Sequence, residues 1–144
     1  MITVEEVMST ELRTLTEEDS LADAMKLMSE HNFHHIPIVD GGNGIVGLVT
    51  HTDVLSASDS NLSGQSLDRD PATIRIGEFM TRDVATVDAR ANLRQAALYL
   101  QKHDYGCLPV VTDGVLAGIV TDNDFIGVAI NLLEQLEFTE PEEL

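Results

Sequence analysis

The sequence predicts an α+β fold made of two tandem copies of a strand, helix, strand, strand, helix unit. Three observations carry this: a repeat at an offset of 72 residues, an apolar helical stripe in each copy, and in each copy two short apolar strands joined by a glycine-containing turn. Val4-Glu5-Glu6-Val7-Met8-Ser9 returns as Ile76-Gly77-Glu78-Phe79-Met80-Thr81, and Thr14-Leu15 returns as Thr86-Val87. Leu21, Ala24, His31, Pro37 and Val39 recur as Leu93, Ala96, His103, Pro109 and Val111. After a one-residue slip at a turn, the segment from Gly47 to Asp53 matches that from Gly118 to Asp124. A duplicated unit of this kind packs as a pseudo-symmetric pair, so function is sought where the copies meet.

Within copy one, Ser20 is placed to cap a helix along which apolar Leu21, Ala24, Met25 and Met28 follow at helical spacing. Copy two repeats this with Asn92, then Leu93, Ala96, Ala97 and Leu100. Ile36-Pro37-Ile38-Val39 and Ile45 to Val49 read as strands around the turn Asp40 to Gly44; Leu108 to Val111 and Val115 to Val120 read likewise around Thr112-Asp113-Gly114. Each second strand runs through Thr-x-x-Asp into a last helix, about Thr52 to Ala57 and Asn123 to Leu136. The final helix offers Phe125, Ile126, Ala129, Ile130, Leu133 and Leu136 as an apolar stripe. It is expected to pack on its own repeat, with any exposed remainder suiting a dimer contact. The stretch from Ser56 to Thr73, rich in Ser, Asp, Gly and Asn, reads as a connecting loop. The expected organisation is repeat one over 1–57, a linker over 58–73, repeat two over 74–138 and an acidic tail over 139–144.

Composition narrows the function. Two small repeats would each be marginal alone, so mutual packing is expected to be part of the fold. The net charge of -17, with Lys26 and Lys102 the only lysines, argues against nucleic acid or an anionic membrane as partner. Cys107, the single cysteine, sits in an apolar run and has no disulfide partner in the chain. No segment approaches the length of a membrane span, and the acidic start lacks the basic region of a signal peptide, so a cytoplasmic protein is expected.

Val7-Met8-Ser9 with Phe79-Met80-Thr81, His35-Ile36-Pro37-Ile38-Val39 with Cys107-Leu108-Pro109-Val110-Val111, and the segments Gly47 to Asp53 and Gly118 to Asp124 together resemble a tandem pair of cystathionine-beta-synthase (CBS) domains, the Bateman module. The resemblance spans nearly the whole chain. It implies two repeats packed sheet against sheet about a pseudo-twofold axis, with two clefts between them. It also implies a regulatory ligand in those clefts, an adenosyl compound such as AMP, ADP, ATP or S-adenosylmethionine.

The residues suit such a ligand. A fixed carboxylate accepts from neighbouring ribose hydroxyls through charge-assisted bonds, and Asp53 and Asp124 fit that role. Three residues earlier, Thr50 and Thr121 supply hydroxyls, and the following helix start offers N–H groups and positive dipole to an anion. In the family each cleft takes its Thr-x-x-Asp from one copy and its base-contacting strand from the other. Cleft one would therefore join Thr14, Phe33, His34, His35, Ile36 and Pro37 to Thr121 and Asp124. Cleft two would join Thr86, Tyr105, Gly106, Cys107, Leu108 and Pro109 to Thr50 and Asp53. Phe33 and Tyr105 either stack on an adenine or pack as ordinary core.

Where a phosphate-binding family member has a His-Arg pair before the strand, this chain has His34-His35, which predicts weaker, pH-dependent phosphate binding. Cleft two has Gly106 and Cys107 there, with His51 and Arg82 as its candidate phosphate partners, so cleft one ranks first for a phosphorylated ligand. The few basic residues keep S-adenosylmethionine or a single-phosphate nucleotide level with ATP.

A metal site on His31, His34 and His35 is disfavoured because a helix end followed by a strand spreads their side chains. His31 and His103 better serve the negative end of a helix dipole. Catalysis has no candidate: Cys107 lacks an activating neighbour, no serine stands in a nucleophile elbow, and the two aspartates are better explained as ribose ligands. The expected protein is a non-enzymatic sensor, a homodimer that passes its signal to a separate effector protein, with no cofactor or metal. The competing expectation is a ligand-free dimerisation or partner-docking module in which both Thr-x-x-Asp segments are only helix caps.

Overall fold

The computed structural model describes residues 1–62 and 69–139. Copy one folds as α1 (Leu21–His31), β1 (His35–Val39), β2 (Ile45–Thr50) and α2 (His51–Leu62). Copy two folds as β3 (Val87–Asp88), α3 (Leu93–His103), β4 (Cys107–Thr112), β5 (Val115–Thr121) and α4 (Asp122–Thr139).

The first helix of each copy starts at the predicted cap. Ser20 and Asp23 exchange bonds, Asp23 N–H to Ser20 Oγ at 3.1 Å and Ser20 N–H to Asp23 Oδ2 at 3.0 Å. Asn92 Oδ1 accepts from the N–H groups of Arg94 and Gln95. Both helices end on a left-handed residue, Asn32 and Asp104, each at φ 55°. These residue types tolerate that conformation because their short polar side chains bond locally. Leu21, Ala24 and Met28 are buried as the stripe requires, whereas Met25 is 40% exposed.

β1 and β2 pair antiparallel, Ile36 opposite Val49, and β4 and β5 pair antiparallel, Leu108 opposite Val120; each pair carries one register shift before its turn. The opening strand differs between the copies. In copy two, β3 runs parallel to β4, while in copy one it shrinks to a single parallel bridge from Leu15 to Ile38.

The copies exchange their leading segments. Ser9 and Ile119 of β5 trade backbone bonds at 2.9 and 3.0 Å, and Thr81 and Leu48 of β2 do the same at 2.9 Å. Val4 lies fully buried with Leu93, Ala96, Leu108 and Val120 of copy two. Ile76 and Met80 lie with Leu21, Ile36 and Val49 of copy one. A third cluster, Leu48, Cys107 and Ile119, closes the interface between the sheets. Each core thus contains side chains from both copies, and burial of a single large aliphatic side chain contributes roughly 1.5–3 kcal/mol.

Two elements outrun their expected limits. α2 continues to Leu62 through what the composition suggests is loop. Ser, Asp and Asn cost only fractions of a kcal/mol in a helix, and no Gly or Pro stops propagation before residue 63. The expected loop also contains a capped turn, Pro71–Thr73, whose Ala72 N–H bonds Asp70 Oδ1 at 3.0 Å; residues 63–68 and 140–144 lie outside the described residues. α4 carries its stripe outward: Ile126, Ile130, Leu133 and Leu136 are 52–58% exposed, and from this helix Phe125 and Val128 pack on the core of copy two. Of the expected stripe, Phe125 packs on its own repeat, while Ile126, Ala129, Ile130, Leu133 and Leu136 form an exposed remainder. No helix among the described residues is long and apolar enough to cross a membrane.

Candidate functional site

A cleft of about 560 Å³ opens between the copies. Copy one contributes Ser9, Glu11, Leu12 and Arg13 from its leading segment, then Asn32 to His35 and Pro37 around the start of β1. Copy two contributes Ile119 and Thr121 from β5 and Asp122 to Asp124 from the first turn of α4. The strand entry and Thr-x-x-Asp segment assigned to cleft one thus face one cavity, although Pro37 and Thr121 are 84 positions apart.

Thr121 and Asp124 bind each other. The Thr121 N–H donates to Asp124 Oδ2 at 2.8 Å, its hydroxyl to the same oxygen at 3.3 Å, and the Asp124 N–H returns to Thr121 Oγ1 at 3.4 Å. Asp124 Oδ1 takes no bond from the described residues, so the carboxylate is oriented with one oxygen to spare. The pair is a reciprocal helix cap. A further N–H of the helix start is taken by the strand entry of copy two, the Asp122 N–H donating to the Gly106 carbonyl at 3.2 Å. An open anion site at this helix end was the sequence expectation; of the N–H groups from Thr121 to Asp124, only that of Asn123 is left.

His35 lies half-buried at the strand entry, and a Cβ on Gly106 would come within 3.2 Å of its Nε2. Burial pushes its pKa down; Asp122 opposes this and His34 adds to it. Phe33 stacks on His31 with ring centroids 5.7 Å apart and lines the cleft, so it is not core. Ile36 is fully buried in the core of copy one, and Thr14 is partly buried outside the cavity lining.

The residues assigned to cleft two are spread further. Thr50 and Asp53 form the matching cap, at 2.9 and 3.1 Å, and the Thr81 hydroxyl adds a bond to Asp53 Oδ2 at 3.3 Å. Tyr105 is 42% exposed and stacks on His103 at 5.5 Å, lining a hollow of about 250 Å³ with Leu100, Gln101 and Phe125 that Thr50 and Asp53 do not reach. Leu108 and Pro109 are buried side chains, Cys107 belongs to the intersheet cluster, and Thr86 is exposed. Burial pushes the Cys107 thiol up to about 12, with Asp122 adding to the effect. Arg82 donates to the Gly77 carbonyl at 2.8 Å and pairs with Glu17 at 3.6 Å, while the His51 ring meets His34 edge-on at 5.7 Å. Neither is gathered with Tyr105 and Gly106.

Sequence reasoning missed Arg13, Glu11 and Asp122. The first two lie between the repeated Met-Ser and Thr-Leu segments, where the copies differ and no periodicity marks them; Asp122 was hidden between the Thr and Asp of the motif. Among the described residues no three His, Cys, Asp or Glu are arranged to hold a metal ion.

The family model for the CBS domain matches the chain twice, at residues 4–60 and 76–131. Among solved structures the chain is similar to AcuB of Vibrio cholerae, 42% identical with a TM-score of 0.86, covering 95% of this chain and 98% of that one. It is also similar to the CBS domain pair of protein MJ0100 in complex with 5-methylthioadenosine and S-adenosyl-L-methionine (29%, TM-score 0.76, 89% and 99% covered). A third likeness is to CBSX2 in complex with AMP (27%, TM-score 0.78, 92% and 98% covered). The chain spans about a fifth (21%) of the first curated relative it matches, a homoserine O-acetyltransferase of Methanocorpusculum labreanum, with 33% identity over 112 residues and 78% of this chain covered.

Proposed function

The chain belongs to the CBS domain family, and from that premise we propose that it is a regulatory module that binds an adenosyl ligand between its repeats and signals occupancy to a partner protein. The observation that carries the proposal is the convergence of Phe33, His35 and Pro37 from copy one with Thr121 and Asp124 from copy two on one cleft of about 560 Å³. That volume is within the usual range for small-molecule sites, about 300–1,000 Å³. Two of the similar structures, MJ0100 and CBSX2, carry adenosyl compounds.

In this function the adenine lies between Phe33 and the β1 entry, and the ribose hydroxyls donate to the outer oxygen of Asp124. Because the cap already fixes that carboxylate, binding spends little on ordering it. The ligand joins β1 of one copy to α4 of the other, so occupancy biases their relative angle by as much as its affinity differs between the two arrangements. The reader of that change is a second copy packed on the exposed α4 face, or an effector docked on the resulting dimer.

Purified protein is titrated with AMP, ADP, ATP and S-adenosylmethionine while thermal unfolding is followed. A ligand at 100 times its dissociation constant adds about 2.7 kcal/mol if it binds only the folded state. A stabilisation abolished by Asp124→Ala supports the function. The reciprocal caps favour one other reading, a ligand-free docking module, and a flat panel on folded protein would select it.

A further inference from the structure

We infer that the cleft lined by Arg13, His35, Asp122 and Asp124 selects, among adenosyl ligands, one with a cationic substituent, the adenosyl-sulfonium amino acid class, over nucleotide phosphates. It rests on the adenosyl function proposed above and adds the charge of the group beyond the ribose.

Glu11, Asp122 and Asp124 line the cleft against the single guanidinium of Arg13, an excess of negative charge with the histidines counted neutral. The chain as a whole carries -17, so the wider field also repels a polyanion. The usual means of holding phosphate at a helix start is reduced here to the single N–H of Asn123. The Thr121 N–H is held by Asp124, the Asp122 N–H by the Gly106 carbonyl, and the Asp124 N–H by Thr121 Oγ1. Two carboxylates stand in the first turn, where phosphate oxygens would approach. Burial of His35 further disfavours its imidazolium form, which removes a second anchor for an anion.

The same groups suit a sulfonium amino acid. Its single carboxylate matches Arg13, which makes no ion pair among the described residues, whereas Arg69 is bound to Glu78 and Arg82 to Glu17. Its ammonium and sulfonium charges match Glu11 and Asp122. Copy two supplies no equivalent, because Arg13 aligns with Ala85. The selectivity is therefore a property of this cleft and not of the repeat.

Calorimetric titration of the full chain with S-adenosylmethionine, S-adenosylhomocysteine, AMP and ATP, at low and at high salt, tests this. S-adenosylhomocysteine lacks only the methyl that makes the sulfur cationic. S-adenosylmethionine is expected to bind about tenfold tighter than S-adenosylhomocysteine at low salt, and ATP more weakly than either. Salt narrows the first gap by screening. Asp122→Asn, verified as folded by circular dichroism, brings the first two ligands together; should that variant not fold, the salt series on the unaltered chain decides. Equal affinity for the two sulfur compounds, or tighter AMP or ATP, overturns the charge selection while leaving the adenosyl cleft in place. Binding of none of the four overturns the adenosyl function itself.

Discussion

Gly118 of β5 lies against Met8 so closely that a Cβ there would stand 2.6 Å from Met8 Sδ and 2.8 Å from the Ser9 carbonyl oxygen. Gly47 of β2 stands in the same relation to Met80 and to the Thr81 carbonyl, at 2.6 and 3.0 Å. Neither glycine is present for a turn: only Gly114 takes positive φ among the described glycines. They are bare so that the leading segment of one copy can pair with the second strand of the other.

Gly118→Ala therefore forces that crossing apart. Overpacking of this kind costs about 1–3 kcal/mol, and the backbone oxygen of Ser9 cannot step aside as the Met8 side chain can. Gly127→Ala is the control: nothing lies within 4 Å of its Cβ position, and it sits inside α4. It should stabilise by about 0.5–1 kcal/mol. Urea midpoints that move the same way for both would refute the packing role.

Asp124→Ala and Asp53→Ala each remove one half of a helix cap, and each is expected to cost about 1 kcal/mol. Their effects on ligand separate. Asp124 lines the cleft and Asp53 does not, so stabilisation by an adenosyl ligand should vanish in the first variant and persist in the second. Melting both with and without ligand makes the comparison; retention of the shift by Asp124→Ala would leave the aspartate a cap only.

Much of this was legible in the chain. The repeat fixes which strands pair and where each helix begins, because Ser20 and Asn92 are caps whose chemistry is local. The reach of α2 was not legible, since Ser and Asn serve a helix interior almost as well as a loop. Nor was the exchange of leading segments, because the alternation around Val4 or Ile76 states that a residue is buried and not in whose core. In the site, Thr121, Asp124 and Phe33 were found through the motif and its spacing. Arg13 and Asp122 were not, for their part depends on facing a cavity that forms only when the copies meet.

His35 is held neutral by burial, which sets a pH dependence. Its pKa is lower in the folded chain than the ordinary 6.5, so as pH falls below that value the unfolded chain takes up the proton first. The stability it contributes is complete above the unfolded pKa and is lost as pH falls through the folded one. His35→Gln should flatten the fall in urea midpoint between about pH 7.5 and 5.5, before most carboxylates titrate. An unchanged slope would show that His35 does not titrate in this environment.

Cys107 lies buried between the sheets. With the thiol pushed up to about 12, the native chain presents almost no thiolate at mildly alkaline pH. Reaction with a disulfide reagent should be slow in buffer and fast in denaturant, its native rate set by opening of the Leu48, Cys107, Ile119 cluster. The raised pKa also means that its stabilising contribution is intact below the unfolded value near 9.0 and declines as pH rises toward about 12. Rapid native labelling would place the thiol outside that cluster.

The exposed face of α4 suits a contact with a second copy of the chain. Ile126, Ile130 and Leu133 recur at helical spacing at 57%, 52% and 58% exposure, on a chain whose charge otherwise favours isolated monomers. A face of this kind is stable in water when a second copy covers it, and the twofold contact then places α4 against α4. Ile130→Glu would set two carboxylates into that contact, so light scattering is expected to report a dimer for the unaltered chain and a monomer for the variant. Urea stability of the variant should fall only by the share that dimerisation supplies, and so should depend no longer on protein concentration. A variant that scatters as the unaltered chain does would leave the α4 face without a partner copy.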